Sequence, residues 1–207
     1  MDFSILSEQI ASQDIIEWIG LITGIIYVVL ASYERPSCWI FGIISSAAIA
    51  FKSFDDYKLI ADGILQVFYV VIGFLGLWNW LKGRVGDVQK PIVVSPITHH
   101  AIAIGICLVV SIPVSWLLIR YAAARFGYID TLITIGSIWA TILLVRKDLH
   151  NWIYWIVLDF MLIFLYYVSQ AYLFSLLFLI YTLIAFWGFR VWRANIFRKH
   201  SQGQLIN

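Results

Sequence analysis

The chain has 207 residues, 62% hydrophobic and 13% charged, with a net charge of +2 and a mean hydropathy of +0.88. A soluble domain carries roughly 25% charged residues, so the solvent of this chain is a lipid bilayer and no separate soluble domain is expected. The small basic excess is scattered along loops, which excludes nucleic acid as a partner, and Cys38 and Cys107 have no spacing that would give a disulfide framework or a metal site.

Residues 1–14 mix polar and apolar side chains and read as a short interfacial segment. Asp2, Glu8, Asp14 and Glu17 stand where a cleavable signal peptide needs basic residues, so the first apolar span is expected to be retained. Charged and turn residues then cut out seven candidate spans near 15–34, 37–54, 60–81, 97–119, 130–146, 151–168 and 172–192. The uncharged cores 18–33 and 131–145 fall short of the roughly 20 residues of an ideal crossing. Their flanks must snorkel, or the helices must line water. The uncharged run Phe160 to Phe189 would make a helix of about 45 Å, too long for one crossing, and Ser169-Gln170-Ala171-Tyr172 is the expected turn.

Lys and Arg counts set the orientation. With the N-terminus outside, the inner loops and tail hold Arg35, Lys82, Arg84, Lys90, Arg146, Lys147, Arg190, Arg193, Arg198 and Lys199, against Lys52, Lys58, Arg120 and Arg125 outside. The tail 193–207 is therefore expected in the cytoplasm.

The chain repeats itself. Gly24 returns as Gly136, Tyr69 as Tyr181, Gly76 as Gly188 and Trp80 as Trp192 at an offset of 112, and Trp39 returns as Trp152 at 113. The expected fold is an all-α polytopic membrane protein: a three-helix unit over 15–81, a linker region with one helix over 82–129, and a second unit over 130–192. One extra helix lets both units start on the same face, as parallel repeats about an axis along the membrane normal, an arrangement found in transporters.

On the sixth span, Trp152, Trp155 and Asp159 fall within an arc of about 60°, with Asn151 about 40° beyond. Asp159 lies about 12 Å past Asn151, well inside the hydrocarbon, where an ionisable group is a functional candidate. The plainer reading makes Asp159 a packing partner and the tryptophans part of an interfacial belt. The third span carries Asp62, Gln66, Tyr69, Gly73, Gly76 and Trp80 within about 80°. The glycines read as close helix packing, Asp62 as a cap or partner of Lys58, and Gln66 as a buried amide that must find partners in a ligand or a neighbouring helix. The copies differ where chemistry would sit: Ser46 stands where the second unit has Asp159, and Phe178 where the first has Gln66. Such asymmetry suits a solute with one aromatic and one polar end.

Arg146-Lys147, then Asn151-Trp152, Trp155 and Asp159, together with Leu65-Gln66-Val67-Phe68 and the Gly-aromatic-Trp ends of the third and seventh spans, resemble the PnuC family of bacterial nicotinamide riboside transporters. The resemblance implies a fold akin to a full-length SWEET sugar transporter, a homotrimer in the bacterial inner membrane, and facilitated diffusion of nicotinamide riboside. It also implies trapping of the substrate by a separate cytoplasmic kinase. It carries a substrate-binding role onto Gln66, Asn151, Trp152, Trp155, Asp159 and Tyr172; Tyr69 and Trp39 complete the expected site.

No P-loop, GxSxG or HExxH string occurs, so neither ATP-driven pumping nor a common hydrolase chemistry is expected. His99-His100 point about 100° apart on a helix and lack a third ligand, so they read as an interfacial pair, and His150 beside Asp148 as a loop histidine. No metal and no cofactor is expected. The rival readings are a proton-coupled transporter of another vitamin-like or nucleoside-like solute using Asp159, an intramembrane enzyme, and a scaffold.

Overall fold

The computed structural model describes residues 2–55, 60–82, 90–122 and 127–203, which form eight helices. They are α1 (Phe3–Ser12), α2 (Ile15–Ser32), α3 (Cys38–Asp55), α4 (Ile60–Lys82), α5 (Ile97–Ala122), α6 (Gly127–Val145), α7 (Asn151–Val168) and α8 (Tyr172–Gly203). The seven from α2 to α8 are long and apolar enough to cross a membrane. Large apolar side chains such as Val71, Phe74, Leu75 and Trp78 stand exposed on α4, as they must where lipid is the solvent.

Local chemistry starts the first span. Asp14 accepts hydrogen bonds from the backbone N–H of Ile16 and Glu17, and Glu17 accepts from the N–H of Asp14 at 2.7 Å, a reciprocal cap on α2. The short helix α1 precedes the spans, as its mixed composition suggests. Gln9 straps it to the α7–α8 turn: its amide donates to the Gln170 carbonyl at 2.7 Å and accepts from the Leu173 N–H at 3.0 Å.

Three corners share one geometry. At the ends of α2, α6 and α7, Glu34, Lys147 and Gln170 adopt φ of 56°, 59° and 60°. In each, the residue's N–H bonds back three positions and the next N–H five, satisfying the last carbonyls of the helix. Glycine is the usual occupant, and a side chain there costs about 1–2 kcal/mol. Strain of this kind persists where surrounding contacts enforce it. The expected turn at Ser169-Gln170-Ala171 is the third of these corners.

α3 packs between α2 and α4, and α7 between α6 and α8; the two groups meet where α2 touches α8 and α4 touches α6, while α5 lies against α6. Among lipid tails, apolar burial gives little drive for helices to associate, so close packing and hydrogen bonds hold them together. Both are plain at the corner end. A Cβ on Gly76 would come within 2.5 Å of the Trp39 ring, and one on Gly188 within 2.7 Å of Trp152. Each glycine is therefore the socket for an indole. Trp80 donates to the carbonyls of Leu144 and Val145, at 3.2 and 3.1 Å, and Trp192 to that of Ala31 at 3.2 Å. The four rings form an unbroken row: Trp39 meets Trp80 edge-on at 5.6 Å, Trp80 meets Trp192 at 6.0 Å, and Trp192 meets Trp152 edge-on at 5.5 Å.

The expected spans match within a few residues, with one difference: α8 runs on to Gly203, so its first part through residue 192 and much of the expected tail are a single helix. Asp62 accepts from the Ser53 hydroxyl of α3; Lys58, its other expected partner, lies outside the described residues.

Candidate functional site

A cavity of about 170 Å³ opens between the two groups of helices, lined by residues of α2, α3, α4, α6, α7 and α8. Its wall contains Trp39, Gln66, Tyr69, Trp152, Trp155 and Asp159, six of the eight residues the sequence singles out. Sequence reasoning missed Tyr27, Phe178 and Tyr181 as wall residues, although Phe178 and Tyr181 stand 112 positions after Gln66 and Tyr69. The signal was present in the offset alone.

An offset of 112 or 113 relates much of the wall. Trp39 and Trp152, Gly42 and Trp155, Ser46 and Asp159, Gln66 and Phe178, Tyr69 and Tyr181, and Gly73 and Ala185 all line it in pairs. A wall built from such pairs needs no local periodicity to be assembled; it needs the two groups of helices to face each other.

The remaining two candidates lie elsewhere. Asn151 is fully buried at the start of α7, one residue before Trp152, and its amide donates to the Asp148 carbonyl at 2.6 Å. Its Oδ1 has no partner among the described residues. Tyr172 starts α8 at the far end from Trp192, buried against Tyr167 with ring centroids 5.5 Å apart. Neither lines the cavity.

Four polar side chains of the wall have no hydrogen-bond partner among the described residues. The indole N–H groups of Trp39 and Trp152 are buried without an acceptor among the described residues. Asp159 is 2% exposed, and neither it nor the Gln66 amide makes a hydrogen bond or ion pair among the described residues. Buried polar groups in lipid are costly unless paired, so unpaired groups on residues that line a cavity are candidate contacts for a solute. By contrast Tyr69 is committed, its hydroxyl 2.6 Å from that of Ser137, and Ser45 donates to the Gly20 carbonyl at 2.7 Å. Phe178 stacks on Tyr166 at 5.4 Å and meets Tyr181 edge-on, giving the wall an aromatic side opposite in character to Gln66.

Toward the α2–α3 and α6–α7 corners the lining residues Trp39 and Trp152 belong to the tryptophan row, and next to that row lies an ion pair. Lys147 donates to Glu34 at 2.9 Å, with side chains 2% and 6% exposed. Glu34 also accepts from Asn195 at 2.8 Å, and Lys147 donates to the Lys90 carbonyl and sits 4.7 Å from the centre of the Trp80 ring. The pair joins the α2–α3 corner to the α6–α7 corner, so the two groups of helices are latched there. The sequence counted Lys147 as an inner-loop charge; it is a buried one.

The model of the family described as nicotinamide mononucleotide transporter matches residues 14–194. The nicotinamide riboside transporter PnuC of Escherichia coli (strain K12) is 27% identical over 202 residues, covering 86% of this chain and 84% of that protein. The nicotinamide riboside transporter PnuC of Neisseria mucosa is 25% identical over 158 residues, covering 73% of this chain and 59% of that protein. A solved structure, the crystal structure of the vitamin B3 transporter PnuC, superposes with a TM-score of 0.74 at 21% identity over 95% of this chain and 90% of that one, a likeness of fold. The family match runs from the cap of α2 to beyond the last tryptophan of the row, and on it the chain, a multi-pass membrane protein and a transporter instead of an enzyme, belongs to the nicotinamide mononucleotide transporter family.

Proposed function

We propose that the chain carries nicotinamide riboside across the bacterial inner membrane by facilitated diffusion. The observation that carries the reading is the cavity wall: three indoles, with an amide and a carboxylate that have no hydrogen-bond partner among the described residues, around one small chamber. The pyridinium ring of this solute is a flat cation, which tryptophan faces attract by about 0.5–2 kcal/mol. Its ribose hydroxyls and carboxamide offer donors and acceptors to Gln66, Asp159 and the N–H groups of Trp39 and Trp152. Relatives named as nicotinamide riboside transporters support the same solute.

The charge of the wall separates the riboside from the mononucleotide. Among the lining residues there is no Lys, Arg or His, and the ionisable carboxyl is Asp159. A phosphate would enter without a cationic partner and against an acid, so the riboside is favoured.

In this reading two three-helix units, pseudosymmetric about an axis along the membrane normal, rock around the chamber and expose it to either side. The tryptophan row and the Glu34–Lys147 pair form the closed gate, on the face that the Lys and Arg distribution assigns to the cytoplasm, with the N-terminus outside. Net uptake then depends on phosphorylation by a cytoplasmic kinase, and the chain works as a homotrimer, as the family resemblance implies.

The test is calorimetric titration of the purified protein with nicotinamide riboside, nicotinamide mononucleotide and nicotinamide. The riboside is expected to bind best, with Trp155→Ala and Gln66→Ala each weakening it while folding is retained. Unchanged affinity in both variants would remove these residues from the site. The isolated burial of Asp159 favours one second reading, proton coupling. In sealed vesicles a pH gradient alone would then drive accumulation, whereas a facilitator only equilibrates.

A further inference from the structure

Away from the cavity, three side chains distant in sequence converge. His100 on the first turn of α5 places Nε2 3.1 Å from Nδ1 of His150, and that Nδ1 lies 3.0 Å from Oδ1 of Asp148. One ligand atom from each of the three lies within 4.8 Å of the others. His100 and Asp148 are 5% and 1% exposed, while the His150 side chain is 26% exposed and leaves an edge open.

Hydrogen bonding alone does not satisfy this arrangement. The Nδ1 of an imidazole carries one proton or one in-plane lone pair, and here it faces two partners. If Nδ1 donates to Asp148, the Nε2 of His100 is left against an N–H it cannot share well. If Nδ1 accepts from His100, its lone pair faces a carboxylate oxygen. A cation at the centre would meet three lone pairs at once. Tetrahedral zinc with bonds of about 2.0–2.1 Å sets its ligand atoms about 3.3 Å apart; two of the separations here, 3.1 and 3.0 Å, are near that value and the third is within 4.8 Å.

The surroundings are those of an oriented ligand set. The other nitrogen of His100 lies 3.2 Å from the Tyr154 hydroxyl, which fixes the ring and leaves Nε2 for the centre. The second oxygen of Asp148 accepts from the N–H of Ser95 at 3.1 Å and from its hydroxyl, and Oδ1 accepts from the N–H of His150 at 2.9 Å. The chain around Asp148 is itself pinned: Val93 donates to the Lys147 carbonyl at 3.0 Å and accepts from Leu149 at 2.9 Å.

We propose that His100, His150 and Asp148 form a binding site for a borderline divalent cation, zinc above all, that staples the start of α5 to the α6–α7 corner. Two imidazoles and one carboxylate suit zinc, cobalt or nickel and not calcium or magnesium. Three protein ligands leave the fourth position to water at the open edge of His150. The staple ends two residues before Trp152, so it holds the corner from which a cavity wall residue projects. It stands whatever solute the chamber takes.

The test uses the full chain without an affinity tag, stripped with chelator and equilibrated with zinc at micromolar free concentration. About one zinc per chain is expected by elemental analysis, with a rise in thermal midpoint, and cobalt in its place should give the intense visible bands of a four-coordinate site. His100→Gln and His150→Gln should each weaken zinc at least about 100-fold, and Tyr154→Phe, acting through His100, about tenfold. His99→Gln, at an exposed neighbour, should change nothing. A monodisperse wild-type protein that takes up no zinc and shows no cobalt bands would overturn the site, as would uptake undiminished in both histidine variants.

Discussion

The helices α2 to α4 and α6 to α8 place residues 112 or 113 positions apart in pairs around one chamber, yet the paired residues match only in part. Where they agree, the residues build: Gly76 and Gly188 receive Trp39 and Trp152, and Trp80 and Trp192 each tie the opposite group's first helix through an indole N–H. Where they disagree, the residues differ in chemistry: Gly42 against Trp155, Ser46 against Asp159, Gln66 against Phe178. The sharpest disagreement is at the corners. Glu34 and Lys147 are 113 positions apart, share the same strained backbone, and bond to each other. Two positions 113 residues apart, with the same backbone shape and side chains of opposite sign, thus supply the two halves of one ion pair.

The largest effect should come from breaking that corner. Lys147→Met strands the buried Glu34 carboxylate and should cost about 3–5 kcal/mol, read as a drop in the thermal midpoint of the purified protein. The double variant Glu34→Met/Lys147→Met should recover most of it; a double variant no better than the single one would show that the two corners do not depend on each other. Next come exchanges that give one group the other's residue. Trp155→Gly, Asp159→Ser and Gln66→Phe should each weaken solute binding by about 1–3 kcal/mol in calorimetry, the last two with little change in stability and the first with a lower thermal midpoint, because Trp155 also packs against both hydrophobic clusters. Equal affinity after all three would mean that the asymmetry of the wall has no bearing on the solute.

A smaller effect tests where the groups agree. Trp192→Phe removes one N–H donor and should destabilise by about 0.5–1.5 kcal/mol, and Trp80→Phe by somewhat more, because Lys147 also lies over its ring. The reverse order of melting temperatures would remove the ring contact from the account. The smallest effect lies at the other end of α2. There Asp14 bonds to Lys52 at 2.6 Å, and that bond, with the helix N–H groups, holds its carboxyl below the ordinary 3.8. The second group has Leu165 at the position 113 beyond Lys52. A lowered pKa stabilises the folded state above the ordinary value and stops doing so as pH falls through the lowered one. The stability gap between wild type and Asp14→Asn should therefore be present at neutral pH and close in acid; a gap independent of pH would mean the charge of Asp14 is not what acts.

The spans were legible because charged and turn residues bound them, and Asp14-x-x-Glu17 announces the start of α2 in its own letters. Five wall residues were legible because helical spacing puts Trp152, Trp155 and Asp159, or Gln66 and Tyr69, on one face, and Trp39 because Trp152 returns it 113 positions later. Asn151 shares that face, but its amide turns back to the Asp148 carbonyl, a choice of hydrogen-bond partner that spacing does not encode. Tyr172 came from the family pattern and sits beside Tyr167, away from the chamber. The pairing of Glu34 with Lys147, and of His100 with His150 and Asp148, joins segments about 50 to 113 residues apart. Only the packing of whole helices brings those together. The end of α8 was misjudged because exposed polar residues can continue a helix as readily as leave it, and here the Asn195 bond to Glu34 holds it in line.

That continuation gives the molecule a pointer. At 32 residues α8 is about 48 Å long, some 18 Å more than the thickness of a hydrocarbon slab of about 30 Å. Its base is gripped through Asn195 by the same carboxylate that latches the two corners. On the proposed rocking of the two groups, release of that carboxylate would also free the end of α8, and a spin label on Arg198 would report it while leaving the chamber's own residues unaltered.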